Sequence, residues 1–489
     1  MPSTRIVLGF LLTILTACCG CTPGARSRPN IVLIVLDTVR ADRVRCSADG
    51  RVPMPRIAEL CERGSYFEQV SSTSSWTLPA HASFFTGLYP IRHGATQEYT
   101  RLDERARTLA ELLGENGYRT FGVSANPVVS IKSGLARGFD SFDETWRTPP
   151  RPGSRPPGEH PNLLTVDRLL EHRDPDRPFF LFVNFIEAHG PNDPPEPYRS
   201  ASVRERVGPA EIAAARAHNA ATYYLDPTSV TAGDFALLSD LYDGEVAQLD
   251  ALVGALVDRL EADGSLADSM LILTSDHGEN FGEHGHFRHV FSLYRSTVHV
   301  PLLIVLPGDA HAGERRSEPV ALVDLFATIL GAAGVALPAI GADLRDLFAA
   351  APPAAAERSV VAEYYFPGQA LSLFEPDAPV VHRDRLGRYL RRLRSIESDG
   401  LRLIWSSDGT HELYDLAADP AEERNLAGAP RLAERERALR GRLDAFVAES
   451  GGPRPLPEGA RRLAEPEGAF RDLDPESAEL LRELGYLPR

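Results

Sequence analysis

Residues 31–36 read Ile-Val-Leu-Ile-Val-Leu and lead directly into Asp37-Thr38. An unbroken apolar run of this kind is typical of a strand that is buried on both faces of a sheet. Comparable runs are Phe179–Phe185, Met270–Leu273 and Leu302–Leu306. Between the runs, apolar residues recur at helical spacing, most clearly over Leu237–Leu260. This alternation predicts an α/β protein with a central, mainly parallel sheet that is flanked by helices.

Polar motifs follow three of these predicted strands directly. They begin at Asp37, at Glu187 and at Ser275. Ligand sites in open α/β sheets lie beyond the carboxyl ends of the strands, so we expect the three motifs to meet at one sheet edge. The carboxylates of Asp37 and Asp276 and the imidazole of His277 are suitable ligands for a divalent cation. The sequence therefore predicts a metal site formed by these residues.

A second informative stretch is residues 75–90, which read Ser-Trp-Thr-Leu-Pro-Ala-His-Ala-Ser-Phe-Phe-Thr-Gly-Leu-Tyr-Pro. It resembles the sulfatase signature C-x-P-x-R followed by T-G-x-Y-P, with the Pro, Thr-Gly and Tyr-Pro at matching spacings. The two chemically decisive positions differ, because Thr77 replaces the cysteine and His81 replaces the arginine. Formylglycine, which sulfatases make from that cysteine, is therefore not expected. Thr77 could complete the metal site and act as a nucleophile if a metal lowers its pKa.

The resemblance extends over about residues 29–485 and is to the sulfatase branch of the alkaline phosphatase superfamily. It rests also on Val300-Pro301-Leu302, on Val323-Asp324-Leu325 and on residues 412–416, which read Glu-Leu-Tyr-Asp-Leu. It implies a mainly parallel mixed sheet flanked by helices, with a smaller C-terminal α+β domain. The predicted segments are a lipoprotein signal peptide with its lipobox (1–21), a tether (22–28), the catalytic domain (29–348), the C-terminal α+β subdomain (349–450) and a Pro-rich tail with a terminal helix (451–489).

Three further positions depart from the sulfatase pattern. Thr38 stands where sulfatases usually have a second aspartate, His277 where they often have asparagine, and His289 where they carry lysine. A threonine nucleophile with a later Asp-His pair is similar to lipoteichoic acid synthases, phosphoethanolamine transferases and nucleotide pyrophosphatase/phosphodiesterases. Those enzymes act on phosphate esters with Mn or Zn. We therefore favour Zn²⁺ or Mn²⁺ as the cofactor, with Ca²⁺ or Mg²⁺ as alternatives.

Several histidines are further candidates for roles at the site. The resemblance implies His189 as the acid that protonates the leaving group, and we count His81 among the catalytic residues because of its position in the signature. His284 and His289 are predicted substrate contacts that bind the anion. There are two alternatives for residues 284–289. They could contribute ligands to a second metal site, or they could form a solvated loop in which only one histidine has a functional role.

The leading functional hypothesis is a metal-dependent hydrolase of sulfate or phosphate esters, and a threonine nucleophile favours phosphate mono- or diesters. One alternative is a phosphotransferase that acts on an envelope glycan or lipid. The known transferases carry several membrane spans before the catalytic domain, and this sequence shows none. The other alternative is a non-catalytic anion-binding protein, although such a protein has no reason to keep a complete ligand set.

The net charge indicates which partners to expect, and the N-terminus indicates the compartment. The formal net charge of −16 argues against a nucleic-acid partner. A short apolar stretch ends in Leu15-Thr16-Ala17-Cys18, which looks like a bacterial lipobox. This predicts an exported lipoprotein that is periplasmic or on the cell surface and held by a lipid anchor in the membrane. The alternative, an ordinary cleaved secretory signal, also predicts export. Cys46 and Cys61 could then form a disulfide or remain thiols.

Overall fold

The computed structural model describes residues 28–44, 46, 52–147, 157–204, 207–340, 344–349, 358–365 and 383–451. Within these residues, the main sheet has eight strands in the order β5-β4-β6-β1-β7-β8-β2-β9. The strands from β5 to β7 in this order run parallel, β8 is antiparallel to both β7 and β2, and β9 runs parallel to β2. Strands β10 and β3 form a separate, short parallel pair. A further sheet is formed by strands near the C-terminus.

The strands of the main sheet and of the short pair are β1 (Asn30–Leu36), β2 (Ser65–Phe67), β3 (Val70–Ser71), β4 (Arg119–Ser124), β5 (Ser141–Glu144), β6 (Phe179–Phe185), β7 (Ser269–Thr274), β8 (Leu302–Val305), β9 (Glu314–Arg316) and β10 (Val320–Ala321). The helices in the same part of the chain are α1 (Pro55–Arg63), α2 (Thr77–Thr86), α3 (Pro90–His93), α4 (Leu109–Glu115), α5 (Pro161–Glu171), α6 (Tyr198–Ser202), α7 (Pro209–Arg216), α8 (Ala220–Leu225), α9 (Ala232–Ala262), α10 (Arg295–Val298) and α11 (Asp324–Ala332).

The C-terminal part of the chain forms an antiparallel sheet with strand order β11-β12-β13-β14. Its elements are β11 (Val360–Tyr364), α12 (Arg383–Leu386), β12 (Leu393–Ser398), β13 (Leu401–Ser406), β14 (Glu412–Asp415) and α13 (Ala433–Glu449). Leu439 and Leu443 of α13 belong to a separate hydrophobic core that also includes Tyr89 and Ile91. The Tyr89 ring lies 5.0 Å from the Phe446 ring, so this smaller unit is packed onto the segment that follows α2.

The predicted fold class is confirmed. Strand β6 has the predicted bounds. β1 begins one residue before its predicted apolar run, and β7 extends one residue beyond its run at each end. β1 is buried along nearly its whole length because β6 and β7 flank it and helices cover the sheet, which explains the unbroken apolar sequence. Among the described residues, no helix combines the length and the apolar composition that crossing a membrane requires.

Several predictions concern residues that are not described. The signal peptide and lipobox, the tether before Arg28, and the tail after Gly451 lie outside the described residues. The boundary after residue 348 also stays a prediction, because residues 350–357 lie outside them. Cys46 and Cys61 form a disulfide, with their Cα atoms 5.6 Å apart, which decides between the two alternatives that the sequence left open. The bond connects the loop after β1 to α1.

Candidate active site

The three motif-bearing strands are neighbours in the sheet. β1 pairs in parallel with β6 on one side and with β7 on the other, with Ile31 opposite both Phe180 and Met270. The carboxyl ends of the three strands therefore lie at one edge. Asp37 comes directly after β1, and Asp276 follows β7 with one residue between. This arrangement brings the predicted metal ligands together.

Asp37, Asp276 and His277 form a compact and fully buried group. One ligand atom from each lies within 4.8 Å of the others, and none of the three residues has measurable exposure. Asp37 Oδ1 and Asp276 Oδ2 have no hydrogen-bond partner among the described residues. Leaving such oxygens buried and unpaired is costly, and a bound cation would satisfy them. The residues present therefore fit a divalent metal.

Hydrogen bonds orient the members of this group. Asn126 Nδ2 donates to Asp37 Oδ2 at 2.6 Å. The backbone N–H groups of Thr38 and His277 donate to Asp276 Oδ1 at 3.2 and 2.9 Å. His277 Nδ1 lies 3.1 Å from the Gly278 carbonyl oxygen, which makes Nδ1 the protonated nitrogen and leaves a lone pair on Nε2. Contacts of this kind fix the direction of metal ligands.

Burial dominates the titration of the group. Burial, with a smaller contribution from the nearby Asp276, raises the pKa of Asp37 well above its usual range. Burial likewise raises the pKa of Asp276 to about 7 and lowers the pKa of His277. Both effects disfavour charge on the ligands in the metal-free protein. A bound cation reverses this preference, because it stabilises the two carboxylates directly.

Thr77 is the first residue of α2 and lies beside the metal ligands. Its Oγ1 is 3.1 Å from His277 Nε2, and Thr77 is 2% exposed. The helix ends at Gly87, whose φ of 68° is the left-handed conformation that glycine adopts readily at a helix C-terminus. Because Thr77 is the first residue of α2, its hydroxyl lies at the N-terminal end of a buried helix, where the backbone N–H groups favour negative charge.

His81 lies on the inner side of α2. Its Nδ1 is 2.9 Å from the Thr77 carbonyl oxygen and 3.5 Å from Asp276 Oδ2. Its ring packs against those of Phe84 and Phe182, and burial lowers its pKa to about 3. This placement favours a role in positioning Thr77 and Asp276 over contact with a substrate.

His189 and His289 lie together next to the metal ligands. The His289 ring centroid is 4.5 Å from that of His277 and 5.1 Å from that of His189. Burial, followed by the proximity of His289, lowers the pKa of His189 to about 3. The two histidines that the sequence assigned to the leaving group and to the anion are therefore adjacent, and both are buried.

His284 is placed differently from His289. Its ring stacks on Tyr294 at 3.8 Å, and burial lowers its pKa against the opposing effect of nearby carboxylates, which include Glu412 and Asp419 of the C-terminal unit. His284 has a φ of 54° and lies in a tight turn between Gly282 and Gly285, which both have positive φ. The turn directs the side chain toward the C-terminal unit. The structure therefore does not bring His284 into contact with the metal ligands.

Two charged residues near the site were missed by the sequence reasoning. Glu279 is fully buried, and neither of its carboxylate oxygens has a hydrogen-bond partner among the described residues. Its Oε1 lies 3.4 Å from His289 Nδ1, and its Oε2 lies 3.8 Å from Arg288 Nη1. Glu279 stood in the same motif as Asp276, and Arg288 stood next to His289. Their positions in the sequence, close to predicted site residues, could have identified both Glu279 and Arg288.

The mainly parallel sheet carries Thr77 at the start of α2 and the buried Asp37–Asp276–His277 group at its carboxyl edge, which is the arrangement that the signature segment predicted. The chain belongs to the sulfatase family, whose model, named Sulfatase, matches residues 29–335. It is therefore a sulfatase-family ester hydrolase, as the signature segment predicted.

Similar proteins span almost the same length. The multifunctional alkaline phosphatase superfamily protein PehA of Trinickia caryophylli is 26% identical and aligns over 83% of this chain and 92% of its own. Arylsulfatase K of Xenopus laevis is 24% identical, with 85% of this chain and 83% of its own covered. The crystal structure of the phosphonate monoester hydrolase of Agrobacterium radiobacter has a TM-score of 0.69 at 22% identity, covering 86% of this chain and 96% of that chain. The last comparison confirms the fold.

Proposed function

We propose that this chain hydrolyses phosphate or sulfate esters with Thr77 as the nucleophile and a divalent cation held by Asp37, Asp276 and His277. The observation that carries the proposal is the position of Thr77 Oγ1, 3.1 Å from His277 Nε2, which itself lies 3.4 Å from Asp276 Oδ2. When bound, a cation at these ligands lowers the pKa of a neighbouring hydroxyl and neutralises charge on the ester.

The reaction divides into two displacements. Thr77 releases its hydroxyl proton to solvent, and its Oγ forms a bond to the phosphorus or sulfur atom while the bond to the leaving oxygen breaks. The leaving oxygen keeps that electron pair and takes a proton from His189. A water molecule then gives one proton to His189 while its oxygen bonds to the same phosphorus or sulfur atom, and the bond to Thr77 Oγ breaks. Thr77 recovers a proton, and the net reaction is ester plus water to alcohol plus phosphate or sulfate.

His189 has to be protonated before it can act as the acid. Burial keeps its pKa at about 3 in the free protein, and its Nδ1 lies 2.8 Å from the Gly190 carbonyl oxygen. An anionic ester next to the imidazole raises that pKa, because a nearby negative charge stabilises the imidazolium. Substrate binding and the charging of His189 are thus linked in this mechanism.

Phosphate mono- or diesters are the favoured substrates. Formylglycine expels sulfate by a hemiacetal route that a threonine ester lacks, whereas attack by water on phosphorus can release a phosphorylated threonine. One relative is named a multifunctional alkaline phosphatase superfamily protein and another an arylsulfatase, so sulfate esters stay within the proposal. The phosphonate monoester hydrolase shares the fold.

A side-by-side assay tests this function. The full-length chain is loaded separately with Zn²⁺, Mn²⁺, Mg²⁺ or Ca²⁺ and given nitrophenyl phosphate, a nitrophenyl phosphodiester, a nitrophenyl phosphonate ester and nitrophenyl sulfate. We expect turnover of a phosphoester that Thr77→Ser retains in part and Thr77→Ala lowers by about three orders of magnitude or more. Thr86→Ser, on the same helix, is the matched control. Turnover that survives in Thr77→Ala would contradict the threonine mechanism, and product formation that requires an added alcohol acceptor would favour the transferase.

We also propose that the protein is exported as a lipoprotein anchored through Cys18. The Cys46–Cys61 disulfide supports export, because disulfides persist in oxidising compartments. Fractionation of cells that express the full chain tests this proposal. The protein should be found with membranes, and Cys18→Ala should release it to the soluble exported fraction. Recovery of both forms from the cytosol would contradict it.

A further inference from the structure

The stretch that carries His289 has a strained backbone. His284, Arg288 and Phe291 have φ values of 54°, 64° and 63°, in the left-handed region that residues other than glycine rarely adopt. A non-glycine residue stays in that region only where the surrounding structure holds it there. The conformation of residues 284–291 therefore depends on contacts from other parts of the chain.

On one side, the stretch is held by the motif that follows β7. The Arg288 backbone N–H donates to the Asn280 carbonyl oxygen at 3.1 Å, and Asn280 Nδ2 donates to the Arg288 carbonyl oxygen at 2.6 Å. Asn280 comes three residues after His277, which is a predicted metal ligand. This pair of bonds fixes residue 288 relative to the metal ligands.

On the other side, the stretch is held by the hydroxyl group of Tyr224 in α8. The backbone N–H of Phe287 donates to this hydroxyl at 3.1 Å, and the hydroxyl donates to the Phe287 carbonyl oxygen at 3.0 Å. The hydroxyl oxygen also lies 3.4 Å from the Val290 carbonyl oxygen and 3.3 Å from His286 Nδ1. The Tyr224 hydroxyl therefore contacts the chain on both sides of His289.

Tyr224 is itself fixed by its surroundings. It is 1% exposed, and its ring lies edge-on at 4.8 Å from that of Phe291 and at 4.7 Å from that of Tyr389. Burial raises the pKa of its hydroxyl well above the usual range, so the hydroxyl keeps its proton at neutral pH. Tyr224 thus supplies a rigid hydrogen-bonding group whose bonds go to the backbone of the strained stretch.

His289 is the residue of this stretch that reaches the active site. Its ring centroid lies 4.5 Å from that of His277 and 5.4 Å from that of Trp76, which directly precedes Thr77. A displacement of about 1 Å at a site of this kind can lower the rate about 100-fold. The backbone on either side of His289 therefore has to be held in place.

We propose that Tyr224 is a positioning residue of the active site, whose hydroxyl holds the backbone around His289 so that the imidazole meets the anionic group of the ester. The inference rests on the proposed function and on the predicted contact of His289 with the anion. Phenylalanine at residue 224 keeps the ring contacts and removes only the hydroxyl. The polar backbone groups of Phe287 then lose a buried partner, and the strained stretch is free to relax.

Calorimetric binding of inorganic phosphate to the Zn²⁺-loaded, full-length protein tests this role without requiring turnover. We expect Tyr224→Phe to weaken phosphate binding about five- to tenfold, the amount that one hydrogen bond typically contributes. Tyr223→Phe is the matched control and should bind phosphate as the parent does. Tyr223 precedes Tyr224 in α8 and contacts Phe287 through its ring, at 5.8 Å between centroids, and phenylalanine retains that contact.

A double-variant cycle separates positioning from a general loss of packing. In the His289→Ala background, Tyr224→Phe should have no further effect on phosphate affinity, because the side chain that Tyr224 positions is absent. Zn²⁺ affinity in equilibrium dialysis should be the same in Tyr224→Phe and the parent. The reason is that Asp37, Asp276 and His277 lie outside the strained stretch.

Parental phosphate affinity in Tyr224→Phe would overturn the proposal, and so would an equal decrease with and without the His289 imidazole. A matching decrease in Zn²⁺ affinity would overturn it as well, because the whole site would then have loosened. Absence of phosphate binding by the parent, or parental phosphate affinity in His289→Ala, would also contradict it. Failure of the proposed function gives a different pattern, in which the parent lacks ester turnover while the phosphate cycle behaves as expected.

Discussion

The hydroxyl oxygen of Thr77 lies 3.1 Å from Nε2 of His277. Because His277 Nδ1 faces the Gly278 carbonyl oxygen, Nε2 carries the lone pair and can accept the hydroxyl proton of Thr77 in a hydrogen bond. The same lone pair is the one that a cation would use. The candidate nucleophile and the predicted metal site therefore converge on a single nitrogen atom, which the first residue of α2 and the motif after β7 bring together.

Removal of the hydrogen bond to Asp37 should weaken metal binding. Asn126 Nδ2 donates to Asp37 Oδ2 at 2.6 Å, and outer hydrogen bonds of this kind typically contribute a factor of about 10–100 in metal affinity. We expect Asn126→Ala to lower Zn²⁺ affinity by that factor in equilibrium dialysis. Asn116→Ala, at the end of α4, is the matched control. Equal affinities for Zn²⁺ in Asn126→Ala and the parent would show that this hydrogen bond does not orient Asp37 for the cation.

The effect of removing the His189 imidazole on the rate should depend on the leaving group. His189→Gln removes the imidazole that donates a proton to the leaving oxygen, and general acid catalysis contributes about 10²–10⁴-fold where a proton is needed. We expect a large decrease in kcat/KM for an alkyl ester and a much smaller decrease for a nitrophenyl ester, whose leaving group is stable as an anion. The measurement is kcat/KM for the two esters. Equal losses for both would assign His189 to binding instead.

The Arg288 guanidinium occupies the space that a side chain at residue 190 would need. A Cβ at residue 190 would lie 1.7 Å from Arg288 Nη1, so any side chain there has to displace the guanidinium. Gly190→Ala should lower the free energy of unfolding by about 1–3 kcal/mol. Urea unfolding of Gly190→Ala, Arg288→Ala and the double variant measures the coupling. We expect the double variant to lose less stability than the sum of the single variants, and strict additivity would mean that the two residues do not touch.

The disulfide should contribute measurably to stability. Cys46 and Cys61 are separated by 15 residues, and closing a loop of that length in the unfolded chain corresponds to about 3 kcal/mol. We expect the Cys46→Ser/Cys61→Ser double variant to lose about that amount in urea unfolding. Reduction of the parent should reproduce the loss, and reduction of the double variant should have no further effect. A parent whose stability is insensitive to reduction would indicate free thiols.

The centre of the fold could be predicted from the sequence because its strands are buried on both faces. β1, β6 and β7 consist almost entirely of apolar residues, which gives a signal that does not depend on their partners. β4 and β9 gave no such signal. β4 contains Arg119, Thr120 and Gly122, and β9 is largely exposed. Strands of this kind are stabilised by their neighbours in the sheet, and those neighbours are far away in the sequence.

The same distinction applies to the site. Asp37, Asp276 and His277 could be predicted to meet because each directly follows or nearly follows a recognisable strand. Asn126 could not, since it follows β4, which the sequence did not reveal. His284 and His289 are near in sequence, and both were predicted to bind the anion. The tight turn at residues 282–285 separates their side chains, and backbone conformation of that kind is not evident from residue spacing.

Direct detection of a covalent intermediate on Thr77 tests the central claim. The metal-loaded enzyme is mixed with a slowly hydrolysed phosphoester, quenched in acid within the first turnover and digested for peptide mass spectrometry. We predict that the peptide containing Thr77 carries the added mass of one phosphoryl group, that fragmentation places it on Thr77, and that it disappears after substrate is exhausted. Product formation at the same rate with Thr77 unmodified throughout the first turnover would contradict the account and indicate direct attack by water.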